Sequence, residues 1–287
     1  MIAKNDEHSA QLVRSLPHIK KLRGKTVVVK YGGNAMINGE LKTAVVQDIV
    51  FMSAVGIRVL IVHGGGPEID AMLKTCGKES RFVDGLRYTD EQTMDIVQMV
   101  LCGKVNKDIC TLIQNEGGNA IGLCGIDGAL LQAVRVLSPD LGLVGDIQKV
   151  NTGILENILS AGAIPVISPV AMGIEDAAGH SLNVNADTAA ANIAAALCAE
   201  KLVLITDVLG IMRNVHDKAS LISNASINEL ETLKKDGILS KGMIPKADCC
   251  TFALANGVKK AHIIDGRIPH SLLTELFTDE GIGTLIE

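Results

Sequence analysis

Tryptophan is absent from this 287-residue chain, tyrosine occurs twice and phenylalanine four times. A surface that binds single strands stacks bases on aromatic rings, so this composition speaks against one. Positive charge is not in surplus either. The 27 Lys and Arg face 32 Asp and Glu, giving a formal charge of −5, which argues against a nucleic-acid partner. No apolar run is long enough to span a bilayer; the longest, 49–62, is broken by Arg58. The opening MIAKNDEHSAQLVRS has no signal-peptide core. Cys76, Cys102, Cys110, Cys124, Cys198, Cys249 and Cys250 form neither a CxxC pair nor a zinc spacing with histidine. They read as free thiols filling small apolar space, and the expectation is a cytoplasmic protein.

Abundance lies elsewhere. Hydrophobic residues make up 47% and glycine occurs 29 times, so the core is built from Val, Ile, Leu, Ala and Met. The length suits one large domain or two joined lobes meeting near residue 180. Strands are expected at Thr26–Tyr31, Arg58–His63, Ala120–Cys124, Ile164–Ser168, Leu202–Thr206 and Ala261–Ile264. Helical patterns separate them: Leu41–Ala54, Glu68–Thr75, Asp90–Asn115, Gly153–Ser160, Ala186–Ala199, Ile227–Lys235 and Ala247–Ala255. Strands apolar on both faces and alternating with helices imply an α/β fold with a mainly parallel sheet covered on both sides. Gly125–Val150 reads differently, as a β-hairpin insert turning at SPDLG.

Ligands of such sheets bind beyond the carboxyl ends of the strands. The first strand ends VVVKYGGNAM, with Lys30, Gly32 and Gly33; the second ends VLIVHGGGPEID, with Gly64, Gly65 and Gly66. Pro67 there suits a first helical turn. Glycines at a helix start let backbone N–H groups face an anion, whereas a single glycine more often only turns the chain. Two clusters at neighbouring strand ends favour the anion. Rival motifs fail: neither cluster spells GxGxxG, Gly24-Lys25-Thr26 lacks a P-loop's leading glycine, and no GxSxG elbow accompanies HGGG. Two further segments join the argument. SLNVNADTAAANIAAAL offers Asn183, Asn185 and Asp187 before an Ala-rich helix, where Asn185 or Asp187 also serves as an N-cap. KGMIPKAD places Lys241 and Lys246 around a helix entry, where lysines are commonly just solvated. Backbone donors, lysines and an orienting aspartate together fit phosphoryl transfer.

In order, KYGGNAM, HGGGPEID, GLRYT, NVNAD, LITDVLGI and KGMIPK resemble the acetylglutamate kinases of the amino acid kinase family, from about residue 26 onward. The resemblance implies ATP-dependent phosphorylation of the γ-carboxylate of N-acetyl-L-glutamate, on a three-layer sandwich with an open, mainly parallel sheet. It implies an oligomerising helix over 1–24, an amino-acid lobe over about 25–180, and a lobe for ATP and arginine over about 181–287. Lys30 and Lys246 would be catalytic with Asp187 between them, and Gly33 and Gly65 would bind the phosphoryl group. Gly65, Gly66, Arg87 and Asn183 would hold acetylglutamate. Asp207, Gly210 and Lys241 would neighbour the nucleotide, with Mg2+ arriving on its phosphates and no metal ligand from the protein. Sibling kinases of glutamate, aspartate, carbamate or UMP, and a non-catalytic arginine sensor, are the alternatives.

Both chain ends carry further expectations. Leu12, Leu16, Ile19 and Leu22 recur at helical spacing around Pro17, which predicts a kinked helix. A kinked N-terminal helix pairing with its twin resembles the arginine-inhibited branch and implies a hexamer. The ending HSLLTELFTDEGIGTLIE resembles that branch too, with Glu275 and Gly281 receiving arginine; without the resemblance it is an ordinary last helix. Some arginine-sensitive relatives bind a PII signalling protein, for which no residue here speaks.

Overall fold

The computed structural model describes residues 2–36, 38–239 and 242–287. The chain begins α1 (Ile2–Leu22), β1 (Thr26–Tyr31), α2 (Gly39–Ala54), β2 (Arg58–His63), α3 (Gly66–Thr75), β3 (Phe82–Val83), β4 (Leu86–Arg87) and α4 (Glu91–Gln98). It continues α5 (Asn106–Asn115), β5 (Ala120–Cys124), β6 (Leu131–Leu137), β7 (Asp140–Val150), α6 (Gly153–Ser160), β8 (Ile164–Ser168), β9 (Val170–Gly173) and β10 (Ser181–Asn183). The last part is α7 (Ala186–Ala196), β11 (Lys201–Thr206), β12 (Asn224–Ala225), α8 (Ile227–Lys235), α9 (Ile244–Ala255), β13 (Lys260–Asp265), α10 (Ser271–Phe277) and β14 (Thr284–Ile286).

Eight strands form one sheet in the order β12-β14-β13-β11-β1-β2-β8-β5. Every neighbouring pair is parallel except β13 with β14. The alternation of side chains along each strand divides the core in two. Val28, Leu60, Val62 and Leu204 pack with α6, α7, α8 and α9 on one face. Val27, Val29, Ile61 and Val203 pack with α2, α4, α5 and α10 on the other. These are the three layers expected. Because β1 is paired with β11 on one side and β2 on the other, the chain reverses its direction of sheet growth there. The crevice beyond the carboxyl ends of β1, β2 and β11 is where such a fold binds ligands.

Two readings of the sequence need correction. The helix expected over Asp90–Asn115 is divided: a π-helical segment, Met99–Val105, separates α4 from α5. The hairpin expected over Gly125–Val150 exists as β6 and β7, but it does not stand alone; β9 and β10 close it into a small barrel, β10-β7-β6-β9. β9 and β10 have only four and three residues and lie beyond α6 and β8 in the chain, so no local periodicity ties them to the hairpin. The helix expected at the N-terminus is present as α1 and contains Pro17, which deprives the Val13 carbonyl of its usual donor. Of the apolar stripe, Leu22 is buried, whereas Leu12 is 72% exposed. No described helix is long and apolar enough to cross a membrane.

Candidate active site

Lys30 shares the face of β1 occupied by Val28, so its side chain runs toward α7. Asn185 caps α7, accepting from the N–H groups of Asp187 and Thr188, which leaves the Asp187 carboxylate in the first helical turn without a capping role. That settles the choice the sequence left open between Asn185 and Asp187. Lys30 Nζ lies 3.0 Å from Asp187 Oδ1, an ion pair off the hydrogen-bond direction. Lys246 Nζ, from the first turn of α9, donates to Asp187 Oδ2 at 2.6 Å. Lys30 is 8% exposed and Asp187 7%, so the cluster sits in a low-dielectric environment where its charges act strongly. Burial works to raise the Asp187 carboxyl, but Lys30 and Lys246 outweigh it and hold it down to about 2. Two ammonium groups on one carboxylate leave an excess positive charge facing the crevice.

The glycines bring backbone to this charge. A Cβ at Gly32 would lie 2.5 Å from Lys30 Nζ, so the ammonium folds back over this residue. Gly33 has φ +72°, and a Cβ there would meet Asp207 Oδ1 at 2.5 Å; the first glycine loop thus abuts the end of β11. Gly65 caps α3, and a Cβ on it would strike Leu101 Cδ2 at 2.6 Å. Here the π-helical segment presses on the second glycine loop, an irregularity of the kind that gathers at functional sites.

A cavity of about 180 Å³ opens beside that loop, lined by Gly64, Gly65, Gly66, Arg87, Leu101, Val144 and Asn183 among others. Arg87 is buried and pre-set: Nη1 donates to Asp70 Oδ1 and to Ser80 Oγ, both at 2.6 Å, and Phe82 lies under the guanidinium at 4.6 Å. Among the described residues its Nη2 has only a long contact, 3.4 Å to the Gly66 carbonyl, which leaves it available to a carboxylate. Asn183 donates to Thr89 Oγ1 at 3.1 Å, which in turn donates to the Arg87 carbonyl. A second cavity, about 630 Å³, shares Gly85, Leu86 and Asn185 with the first and reaches Asp187, Gly242 and Lys246. Beyond it, Gly210, Val208, Ile211 and Met243 line a small apolar recess, while Lys241 lies outside the described residues. The sequence reading missed Asp70, Ser80 and Phe82; Asp70 was visible in HGGGPEID, but only β3 and β4 bring the others to it.

A separate cavity of about 350 Å³ lies between α1, α10 and β13, lined by His18, Lys21, Lys201, His262, Glu275 and Gly281 among others. Glu275 accepts from His262 Nδ1 at 2.7 Å and from the N–H groups of Ile282 and Gly283 at 2.8 and 2.9 Å. Burial would raise this carboxyl, but His262 and those N–H groups bring it below the usual value. His262, lowered chiefly by burial, is a neutral donor, and its Nε2 faces Lys201 Nζ at 2.8 Å. Gly281, at φ +60°, brings its backbone against Glu275 Oε2. His262 and Lys201 were not read from the sequence, since two separated strands bring them together.

Residues 25–265 match the amino acid kinase family. The chain is 54% identical over 276 residues to an acetylglutamate kinase of Clostridium kluyveri, spanning 96% of each chain. It is 52% identical over 291 residues to one of Heliobacterium modesticaldum, spanning 98% of each. Among solved structures it resembles an N-acetylglutamate synthase from Neisseria gonorrhoeae complexed with coenzyme A and N-acetyl-glutamate (TM-score 0.84, 29% identity, 97% of this chain, 63% of that one). The same synthase complexed with coenzyme A and L-arginine matches with a TM-score of 0.81 at 27% identity, over 97% of this chain and 65% of that one. A carbamate kinase from Giardia lamblia bound to AMP-PNP shares the fold at 16% identity, with a TM-score of 0.68 over 92% and 98% of the two chains. With relatives this similar over nearly their whole length, the chain belongs to the amino acid kinase family and, within it, to the acetylglutamate kinases.

Proposed function

We propose that the chain transfers the γ-phosphoryl group of ATP to the side-chain carboxylate of N-acetyl-L-glutamate, giving an acyl phosphate and ADP. The observation that carries this reading is the buried pair of ammonium groups on Asp187, flanked by two glycine loops. A carboxylate oxygen attacks the γ-phosphorus, and the bond to the β–γ bridging oxygen breaks with its electrons leaving on ADP. Negative charge on the transferring group is met by Lys30, Lys246 and the N–H groups of Gly33 and Gly65, preorganised before the substrates arrive. Arg87 and Asn183 hold the acetylated amino acid with Gly65 and Gly66; Asp207, Gly210 and Lys241 neighbour the nucleotide. The donor set, two ammonium groups and backbone N–H groups, is made for anions. Mg2+ delivered with ATP would be held largely by its phosphates and would offset their charge.

The cavity at Glu275 takes arginine as an inhibitor. Glu275 and the backbone around Gly281 supply acceptors to a guanidinium, which carries donors only. The solved synthase bound to L-arginine supports this assignment. The exposed Leu12 and Leu16 of α1 support pairing with the same helix of another copy and a hexameric assembly. Free thiols support a cytoplasmic location.

The test is an acyl-phosphate trap. Purified chain, ATP and Mg2+ are offered N-acetylglutamate, glutamate, aspartate, carbamate or UMP, with hydroxylamine capturing acyl phosphates and ADP release followed in parallel. Hydroxamate forms with N-acetylglutamate, and arginine suppresses it. Turnover of another acceptor in its place would overturn the assignment.

A further inference from the structure

We propose that His63 is a positioning residue that aims the Gly65 N–H at the transferring phosphoryl group, with Asn106 fixing the imidazole in the tautomer this requires. His63 closes β2 and is fully buried; Asn106 opens α5 directly after the π-helical segment and is 1% exposed. His63 Nδ1 lies 2.8 Å from the Gly64 carbonyl, and Nε2 lies 3.2 Å from Asn106 Nδ2. The proton positions follow from the partners. A carbonyl only accepts, so Nδ1 carries the hydrogen; an amide nitrogen only donates, so Nε2 is bare. Asn106 cannot be turned over. Its two amide hydrogens are shared among His63 Nε2 and the carbonyls of Val166 at 2.9 Å and Leu123 at 3.2 Å, while its oxygen accepts from Lys107 Nζ at 3.0 Å.

The consequence runs through one peptide plane. The Gly64 carbonyl and the Gly65 N–H belong to the same planar group and point in opposite directions. A donor fastened to the carbonyl therefore fixes where the N–H points, and by polarising the amide it strengthens that N–H as a donor. On its other side, Gly64 N donates to the Tyr31 carbonyl at 2.9 Å, tying the loop to β1 and so to Lys30. Glycine has no side chain to restrain this plane. The histidine supplies the restraint from behind, on the side away from substrate.

Paired substitutions separate positioning from packing. In His63→Asn the amide nitrogen reaches the Nδ1 place and keeps the donor to Gly64; in His63→Gln it reaches the Nε2 place and loses that donor. Both variants should melt lower than the native protein. His63→Asn should keep kcat within about threefold, whereas His63→Gln should lose roughly 30-fold in kcat with KM for N-acetylglutamate little changed. Equal kcat in the two variants, whether both high or both low, would overturn the proposal. Neutron diffraction from the native protein gives a reading without any substitution: a deuteron at His63 Nδ1 and none at Nε2 supports the proposal, and the opposite tautomer sinks it. This proposal rests on the kinase reading above. Native protein inactive on N-acetylglutamate would remove that reading, whereas an active native protein with indifferent variants would remove only this one.

Discussion

Two buried carboxylates organise this molecule, and they are surrounded in opposite ways. Asp187 lies between Lys30 and Lys246, so its negative charge is more than cancelled and the centre faces the crevice with a surplus of cation. Glu275 lies against a neutral imidazole and two backbone N–H groups, which hold it without cancelling its charge. On the function proposed above, the first would receive the phosphoryl group and the second the guanidinium of arginine. The sheet positions both, since Lys30 on β1 and His262 on β13 lie on parallel strands either side of β11. A carboxylate's role is thus set by whether its partners carry full charge or only dipoles.

Removing a cation from the first cluster should have the largest effect. Lys30→Ala or Lys246→Ala is expected to lower kcat by roughly 10³-fold, of the size seen when a preorganised donor to transition-state charge is lost. Steady-state kinetics with circular dichroism will show whether turnover falls while the fold stays. Next comes the clamp. Arg87→Ala removes a strong partner of Asp70 and should raise KM for N-acetylglutamate by about 30-fold or more, with KM for ATP unchanged. Comparable increases in both KM values would place Arg87 outside the amino-acid site.

At the second carboxylate, Glu275→Ala should weaken inhibition by arginine by about 10-fold or more, with turnover in its absence unaltered. Equal damage to both would merge the two regions that the comparison keeps apart.

The smallest effect concerns pH. Burial, with Lys107 nearby, lowers His63 to about 4, below its ordinary value near 6.5. Between those values the unfolded chain binds a proton that the folded chain refuses, so stability falls as pH falls. From pH 7 to pH 5.5 this contribution is about 1 kcal/mol, and His63→Asn should lack it. Denaturant titrations of both proteins at the two pH values check the difference; parallel losses would mean that His63 is charged or exposed.

The sequence made the strands legible because they are apolar on both faces, and glycines at their ends marked the crevice. Val28 and Lys30, two apart on β1, even share a face by simple alternation. Asp187 and Lys246 could be named but not joined, since 59 residues separate them and only the packing of α7 against α9 makes the ion pair. Glu275 entered through family resemblance; nothing in a seven-residue amphipathic helix distinguishes it from a surface acid. The π-helical segment was illegible for a plain reason. Its residues, MVLCGKV, carry no local mark of π geometry, and only the folded chain brings Leu101 and Val105 against Gly65. The buried pair His63 and Asn106 was equally hidden, because β5 and β8 supply the carbonyls that hold it.

The division between the two carboxylates is tested most directly by titrating Lys246→Ala with arginine in a calorimeter while its turnover is measured. The account predicts turnover lost and arginine bound as tightly as by the native protein, because the Glu275 cavity does not depend on the Asp187 cluster for its charge. Arginine binding that disappears together with turnover would contradict it.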